Sequence, residues 1–233
     1  MSPTEVKSIS ISDTPLGTAV LFIIFNRPEN TQQVFDAIKQ AKPSRLYIAA
    51  DGPRKDILGE LQICSEVRKI ATSVDWDCDV QTLFSEENLG CGKGPCTAIT
   101  WFFENETEGI ILEDDCLPSP SFFSFCTELL EKYRHDTRIM EIGGNNFEEP
   151  HLRNKEYSFG FSNQIYIWGW ATWRRAWKLH DFYMFHYDEI YKKRYLDSSY
   201  NSIYERDFYQ YVFGKMYEGD ERTNSRTIWD YQW

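Results

Sequence analysis

Short apolar runs, separated by segments of a different periodicity, are the main pattern along the first two thirds of the chain. Residues 19–25 (AVLFIIF) are uninterrupted, which is typical of a strand covered on both faces of a sheet. Residues 79–84 (DVQTLF) alternate between apolar and polar positions, which also favours a strand. The pattern predicts five strands, at residues 19–25, 45–50, 79–84, 109–112 and 139–142.

The segments between these runs carry apolar residues three or four positions apart, the spacing of an amphipathic helix. Ile57, Leu61 and Cys64 are a clear example. Helices are predicted at residues 29–41, 57–72, 94–104 and 122–133. Strands that alternate with helices form parallel sheets, because each helix is a crossover connection. The chain is therefore predicted to be α/β, with a mostly parallel sheet and helices on both faces.

Aromatic residues become frequent after Phe147. Four tryptophans lie within residues 168–177, and the four-residue spacing of Trp173 and Trp177 favours two core positions of a helix. Trp168 and Trp170 flank Gly169, and these three are candidates to line an acceptor or sugar pocket. The same region contains a candidate strand at residues 157–162 and predicted helices at residues 188–196 and 203–218.

The two ends of the chain bear on its domain organisation. Residues 1–17 are expected to be a flexible leader, and residues 18–233 are long enough for a single domain with its own core. The last seven residues, TIWDYQW, resemble a core segment more than a frayed terminus. We therefore expect the natural protein to continue past Trp233.

Composition narrows the classes of function. The 233 residues carry a net charge of -11, and 42% of them are hydrophobic. This apolar content excludes a wholly disordered chain, and the acidic balance argues against a nucleic-acid or anionic-membrane surface. No apolar run approaches the roughly 18 residues that cross a bilayer, and the N-terminus lacks the apolar stretch of a secretory signal. We expect a cytoplasmic protein with no nucleic-acid partner and no transmembrane segment.

Six cysteines are present, and none of them forms a C-x-x-C pair. Without an export signal, free thiols in a reducing compartment are the simplest expectation. Zinc held by Cys91, Cys96 and Cys116 is the alternative, although no histidine lies at ligand spacing.

Polar or glycine-rich residues follow every predicted strand. Ligands of open parallel sheets bind beside the carboxyl ends of the strands, so these loops are predicted to meet in one cleft. Their shared character suits a nucleotide. The loops are Asn26-Arg27, Asp51-Gly52, residues 88–94, residues 113–115 and residues 143–146.

The three acids at residues 113–115 are the strongest chemical signal, since they directly follow the strand at residues 109–112. Adjacent carboxylates repel one another, and a divalent cation would offset this repulsion while keeping ligand positions for phosphates. Pro118 and Pro120 then stop the strand and lead into the next helix. The alternative is a solvated acidic turn in which one Asp caps that helix.

Two common nucleotide-binding motifs are absent. Gly92-Lys93 is followed by Gly94 rather than Ser or Thr, so the P-loop pattern fails, and the first strand–helix turn lacks a G-x-G-x-x-G fingerprint. Lys93 is either a phosphate ligand at a helix entrance or an exposed turn residue. Asp51 either accepts a hydrogen bond from a nucleobase or ribose or stabilises its own turn. Arg27 is able to pair with Asp51 or with a phosphate.

The acidic segment resembles that of GT-A-type glycosyltransferases, in which a short acidic motif at a strand end holds a divalent ion against a nucleotide-sugar diphosphate. It is similar to the N-acetylglucosaminyltransferase I family, where an apolar strand runs into Glu-Asp-Asp, an apolar residue, a proline and a Phe-Phe pair that opens a helix. The corresponding residues here are Ile111-Leu112-Glu113-Asp114-Asp115-Cys116-Leu117, Pro118, Pro120 and Phe122-Phe123. Asn26-Arg27, Asp51 and Gly169-Trp170 also agree, and the similarity spans most of residues 19–177.

The resemblance implies roles for individual residues. Asp115 would bind Mn²⁺ or Mg²⁺, Glu113 and Asp114 would contact ribose or sugar hydroxyls, and Asp51 would contact uracil. The family's catalytic base lies in a Trp-Asp-Asp-Trp segment. Residues 229–233 (WDYQW) are similar but one residue longer, with a single acid, Asp230, as the candidate base.

These roles predict a metal-dependent hexosyl- or N-acetylhexosaminyltransferase. It would move a sugar from a UDP-linked donor to a glycan or other hydroxyl acceptor, with inversion. A sugar-nucleotide nucleotidyltransferase would need the same acids, metal and sheet, but a first loop richer in glycine and Lys or Arg than Asn26-Arg27-Pro28-Glu29. A catalytically incomplete carbohydrate- or nucleotide-binding module on the same fold is the non-enzyme alternative.

Overall fold

The computed structural model describes residues 15–145, 147, 158–200 and 202–218. In these ranges a single sheet contains six strands: β1 (Val20–Ile24), β2 (Arg45–Ala50), β3 (Asp79–Phe84), β4 (Glu108–Glu113), β5 (Glu141–Gly143) and β6 (Trp170–Trp173). Their order across the sheet is β3-β2-β1-β4-β6-β5. Strands β1 to β4 pair in parallel, whereas β6 is antiparallel to both of its neighbours. The predicted α/β class with a mostly parallel sheet is confirmed.

Helices cover both faces of the sheet, as predicted. The helices that follow β1 to β4 are α1 (Pro28–Ala41), α2 (Glu60–Ala71), α3 (Gly90–Asn105) and α4 (Pro120–Tyr133). Those that follow β6 are α5 (Arg174–Trp177), α6 (Tyr187–Lys192), α7 (Leu196–Ser199) and α8 (Ile203–Glu218). Helices α1, α2 and α4 pack on one face of the sheet, and α3 and α5 pack on the other.

Strand β1 contributes to both cores, because successive side chains of a strand point to opposite faces. Val20, Phe22 and Ile24 join the core under α1, α2 and α4, while Leu21 joins the core under α3. All four are at most 2% exposed, which explains the uninterrupted apolar run. Within the described ranges, no helix is both long and apolar enough to cross a membrane.

Strand β6 is the main departure from the predicted topology. It pairs with β4 on one side and β5 on the other, so β5 is not a direct neighbour of β4. Strand β5 still points the same way as β4, since both are antiparallel to β6. The carboxyl ends of β1 to β5 and the amino end of β6 therefore share one edge of the sheet.

Three further predictions of secondary structure are wrong. Trp173 ends β6 and donates its indole N–H to the Leu130 carbonyl at 3.2 Å, so it does not share a helix with Trp177. Residues 158–162 form no strand, and one predicted helix at residues 188–196 is instead the short pair α6 and α7. The aromatic pattern identified buried positions, since Trp173 and Trp177 are 2% and 5% exposed, but not their backbone conformation.

Candidate functional site

An open cleft of about 710 Å³ lies at the edge where the strands β1 to β5 end and β6 begins. Glu113, Asp115 and Cys116, which end or follow β4, line this cleft. Asn145, which follows β5, and Trp168, which precedes β6, line it as well. We call this space the strand-end cleft. Three of the five loops that were predicted to meet in one cleft contribute to it, namely residues 88–94, 113–115 and 143–146, whereas Asn26-Arg27 and Asp51-Gly52 do not line it.

The three consecutive acids do not all face this cleft. Glu113 and Asp115 line it, but Asp114 turns toward β1 and its side chain is only 7% exposed. The backbone N–H of Phe25 donates to Asp114 Oδ2 at 3.1 Å. Asp114 therefore ties the end of β4 to the end of β1. Its predicted contact with ribose or sugar hydroxyls would require it to leave this position.

Arg27 supplies a positive charge to the acidic segment. Its Nη1 donates to Asp114 Oδ1 at 3.0 Å and to Asp115 Oδ2 at 2.7 Å. Partial burial lowers the pKa of Arg27, but the two carboxylates outweigh this effect and raise it above its ordinary value. Burial raises the pKa of Asp114, and Arg27 offsets only part of that rise. Arg27 thus pairs with Asp114 and Asp115, not with Asp51 as one prediction allowed.

The carboxylates around the cleft fit a cation site whose ligands come partly from a bound molecule better than a site that the protein completes alone. Among the described residues, no group of three or more His, Cys, Asp or Glu side chains is placed to hold a metal ion, which also leaves the alternative of a cysteine zinc site without support. Glu113 and Asp115 provide two carboxylates, and the Asp115 side chain is 50% exposed. Mg²⁺ is commonly held by one or two carboxylates together with substrate phosphates. The residues therefore fit a hard divalent cation whose remaining ligands come from a phosphate-bearing molecule.

Asp51 has a structural role in this conformation. Its Oδ1 accepts hydrogen bonds from the N–H groups of Gly52 and Leu89, both at 2.8 Å. Its Oδ2 accepts from the Gly90 N–H at 2.9 Å and from Asn88 Nδ2 at 3.1 Å. Asp51 thereby caps α3, whose first N–H groups have no partner within the helix. A contact with uracil stays a prediction, and it would replace one of these four hydrogen bonds.

The glycine-rich segment is largely helical. Helix α3 begins at Gly90, whose φ of +78° is accessible to glycine at little cost, and Asp51 supplies the acceptors that this end of the helix needs. Lys93 consequently lies inside the first turns of α3 and is exposed. Cys91 and Pro95, rather than Lys93, line the strand-end cleft. A phosphate contact by Lys93 stays a prediction.

Glu60 was not identified from the sequence, although it connects two of the strand-end loops. It is 1% exposed and accepts hydrogen bonds from Asn26 Nδ2 at 2.8 Å and from the Arg54 N–H at 2.6 Å. Asn26 and Arg54 belong to the loops after β1 and β2. The side chain of Asn26 is thus engaged in the scaffold, and its predicted contact with a nucleotide stays untested.

The helical spacing of buried residues in α2 indicates that Glu60 is buried. Cys64, Val67 and Ala71 form the buried face, and Glu60 precedes Cys64 by one turn on that face. The prediction had instead placed Ile57 and Leu61 on the core side. Ile57 is 44% exposed because the helix starts only at Glu60, and Leu61 is 64% exposed because it lies off the buried face of the helix.

Glu60 makes stability dependent on pH. Hydrogen bonds from Arg54, opposed by burial, hold the pKa of Glu60 at about 2, below its ordinary value of 4.5. A lowered pKa contributes stability above pH 4.5 that is lost as the pH falls toward 2. We expect Glu60→Gln to lower the free energy of unfolding by about 1–3 kcal/mol at pH 7 in urea titrations. The difference from wild type should shrink when the titrations are repeated at pH 4 and pH 3.

The exposed Glu66 on the same helix gives the matched control for that measurement. Glu66→Gln should change the free energy of unfolding by less than about 0.5 kcal/mol at every pH. A destabilisation by Glu60→Gln that is constant from pH 7 to pH 3 would contradict the assignment of an ionised, hydrogen-bonded Glu60.

The Trp168-Gly169-Trp170 segment divides between the cleft and the core. Trp168 lines the strand-end cleft and is 60% exposed, whereas Trp170 is fully buried in the core under α3. Trp170 is the first residue of β6 and pairs with Ile111 of β4, so its side chain packs against the face of the sheet. The prediction that Trp170 lines a pocket is therefore wrong. Gly169 lines the cleft with a φ of +79°.

Two candidate residues lie outside the described ranges. Asp230, the candidate base, is one of them, and Asn146 of the predicted loop at residues 143–146 is the other. Residues 1–14 of the expected leader also lie outside. These predictions, and that of a single domain over residues 18–233, remain expectations from the sequence.

Comparison with known proteins identifies a distant structural neighbour but no family. No protein-family model matches the chain, and no curated protein sequence matches it either. Among solved structures, the chain is similar to the mannosyltransferase PcManGT from Pyrobaculum calidifontis, in complex with GDP-Man and Mn²⁺, at 12% identity and a TM-score of 0.36. The match covers 57% of this chain and 36% of that chain. Similarity at this level supports no assignment of ligand or activity, and the resemblance to the N-acetylglucosaminyltransferase I family is not confirmed.

Proposed function

We propose that this protein is a metal-dependent glycosyltransferase that uses a nucleotide-sugar donor. The observation that supports this most is the strand-end cleft itself. It brings Glu113, Asp115 and Trp168 together at the edge of a mostly parallel sheet where the strands β1 to β5 end. The two carboxylates are able to share a cation with phosphates and the exposed indole is able to pack on a sugar, so the cleft suits both parts of a sugar diphosphate.

Different residues of the cleft and beside it would bind different parts of the donor. Asp115 and Glu113 would hold Mn²⁺ or Mg²⁺ together with the donor phosphates. When bound, the cation would neutralise charge on the leaving diphosphate. Arg27 lies 2.7 Å from Asp115 and would orient that carboxylate while adding positive charge beside the phosphates. Trp168 would pack its indole face against the sugar ring.

The remaining chemistry rests on the sequence resemblance. Asp230 would take the proton of the acceptor hydroxyl as that hydroxyl attacks the anomeric carbon. A single base opposite the leaving group would invert the configuration of that carbon. A UDP-linked hexose or N-acetylhexosamine, a glycan or other hydroxyl acceptor, and a cytoplasmic location are parts of the same proposal.

The strand-end loops favour this proposal over a nucleotidyltransferase. In the first loop, Asn26 is hydrogen-bonded to Glu60, and Arg27 is paired with Asp114 and Asp115. These side chains are therefore engaged with the scaffold instead of being available to wrap a nucleoside triphosphate. A non-catalytic binding module would share the cleft, so turnover is what separates it from an enzyme.

Isothermal calorimetry tests the proposal directly. UDP, GDP, UDP-N-acetylglucosamine and GDP-mannose are titrated into the protein with Mn²⁺ and again with EDTA. We expect at least one of these nucleotides to bind, with an affinity that falls about tenfold or more in EDTA, because the phosphate site is completed by the cation. Nucleotide binding with the same affinity in Mn²⁺ and in EDTA, or no binding at all, would refute the proposal. Metal-dependent binding without hydrolysis or transfer would favour the module.

A further inference from the structure

We propose that Asn145 is a specificity-determining residue that accepts a hydrogen bond from a sugar hydroxyl or amide N–H in the strand-end cleft. This inference rests on the proposed function and adds a sugar subsite between Asn145 and Trp168. Asn145 lies two residues after the end of β5, and both Asn145 and Trp168 line the cleft.

The backbone around Asn145 is held in place by its neighbours. The Gly144 N–H donates to the Gly169 carbonyl at 2.9 Å, which joins the loop after β5 to the loop before β6. A Cβ at position 144 would lie 2.7 Å from Phe122 Cε2 and 2.8 Å from the Gly169 oxygen, so only glycine fits there. Asn145 is therefore presented from a closely packed junction of two loops and α4. A residue that discriminates between ligands must be held in a fixed position, and this packing holds Asn145 in that way.

The Asn145 side chain has an unused acceptor. Its Oδ1 is buried and accepts no hydrogen bond within the described part of the chain. Buried polar atoms of native proteins nearly always have a partner, because an unpaired acceptor loses its hydration without compensation. Thr31 Oγ1 and the donor Arg68 Nε are also buried without a hydrogen bond to a described residue, but neither Thr31 nor Arg68 lines the cleft. The position of Asn145 is therefore suited to a donor group that arrives with a ligand.

The chemistry of the acceptor indicates which part of a ligand it meets. An amide oxygen pairs with hydroxyl or N–H donors, and ionised phosphates carry neither. A pyranose ring offers hydroxyl donors and an apolar C–H face together. The exposed Trp168 beside Asn145 presents an aromatic surface for that face, and Phe147 packs on Trp168 with their ring centroids 5.7 Å apart. The sugar would therefore lie beside Asn145 and Trp168, with the phosphates toward Asp115.

Asn145→Leu removes the acceptor at similar volume, and Asn105→Leu is the control. Asn105 lies at the end of α3, where its Nδ2 donates to the Trp101 carbonyl at 2.8 Å. Calorimetry in Mn²⁺ compares UDP with UDP-N-acetylglucosamine, UDP-glucose and UDP-galactose, and GDP with GDP-mannose. The quantity measured is the affinity gained from the sugar, which is the ratio of the affinity for each nucleotide sugar to the affinity for the matching free diphosphate. We expect Asn145→Leu to reduce that gain about tenfold while changing the affinity for the diphosphate less than twofold, and Asn105→Leu to change neither.

A second arm distinguishes a donor sugar from an acceptor sugar. Free N-acetylglucosamine, galactose and mannose are titrated into protein saturated with UDP or GDP and Mn²⁺. If only this binding is lost in Asn145→Leu, the subsite holds the acceptor sugar, which supports the same assignment. The inference is overturned if Asn145→Leu binds nucleotide sugars more tightly than free diphosphates to the same extent as wild type and also still binds the free sugars. It is also overturned if the wild type shows neither kind of sugar binding.

Urea unfolding separates recognition from a structural role. Because Asn145 Oδ1 accepts no hydrogen bond from any described residue, Asn145→Leu should unfold at the same or a higher urea concentration than wild type. A midpoint lower than that of Asn105→Leu would mark Asn145 as a structural residue and overturn the inference. The proposed function fails separately, through the absence of metal-dependent diphosphate binding in the wild type.

Discussion

Asp115→Asn should abolish metal-dependent binding of the nucleotide-sugar donor. Asparagine keeps the shape of the side chain but removes the negative charge that holds the cation, so we expect the affinity for the donor in Mn²⁺ to fall about 100-fold or more. The residual binding should no longer respond to EDTA. The loss of the exposed Arg27 pair should cost only about 0–1 kcal/mol of stability, so the variant should remain folded. Calorimetry with the tightest-binding nucleotide sugar measures the first effect, and urea unfolding measures the second.

Asp75→Asn is the matched control for this substitution. Asp75 is an exposed aspartate paired with Lys39 at 2.5 Å, and it precedes β3 at the opposite edge of the sheet. Asp75→Asn should leave donor affinity unchanged within twofold. Equal losses in the two variants would attribute the effect to general electrostatics, and an unchanged metal response in Asp115→Asn would remove Asp115 from the proposed cation site.

Trp170→Ala should cause the largest loss of stability among the substitutions considered. Trp170 is fully buried in the core under α3, and removal of such a side chain leaves a cavity and forfeits its burial. We expect the free energy of unfolding to fall by about 3–5 kcal/mol, measured by urea titration followed by circular dichroism. Donor affinity should fall only to the extent that the protein unfolds.

Trp168→Ala tests the same tryptophan segment from the cleft side. Trp168 is 60% exposed, so its removal should change the free energy of unfolding by less than about 1 kcal/mol. It should weaken the binding of nucleotide sugars more than that of the free diphosphates, because the indole is proposed to contact the sugar. A large destabilisation by Trp168→Ala, or a small one by Trp170→Ala, would contradict the division of this segment between cleft and core.

The periodicity of the chain was sufficient to predict most of the sheet. Strands β2 and β3 occupy the predicted residues, and β1 and β4 each differ from the prediction by one residue at both ends. These strands are buried between two helical layers, so their hydrophobic runs are long and distinct. Strand β6 was missed because four residues, WATW, are too few to show a period, and because its pairing with β4 joins segments about 60 residues apart.

The candidate site was predicted in part. The acidic segment after β4 does line a cleft, and so does Trp168. Glu60 was missed, and Asn145 was predicted only as part of the loop at residues 143–146, because neither belongs to a motif and the significance of each depends on burial. The hydrogen bond that Asp51 would accept from a nucleobase or ribose was predicted from the position of Asp51 after a strand. Only the structure places the N–H groups of Leu89 and Gly90, nearly forty residues later, within 2.9 Å of its carboxylate.

The sequence by itself determined the α/β class, the edge of the sheet where ligands would bind, and the acidic character of that edge. These follow from local spacing and from the order of strands and helices, which a chain carries without reference to distant contacts. The tertiary structure decided which acids face the cleft, because Asp114 is drawn aside by Phe25 and Arg27, almost ninety residues away. It also decided that Trp170 belongs to the core and that Asn145 Oδ1 has no hydrogen-bond partner within the ranges that the structure describes, since burial and hydrogen-bond partners arise only when separate elements pack together.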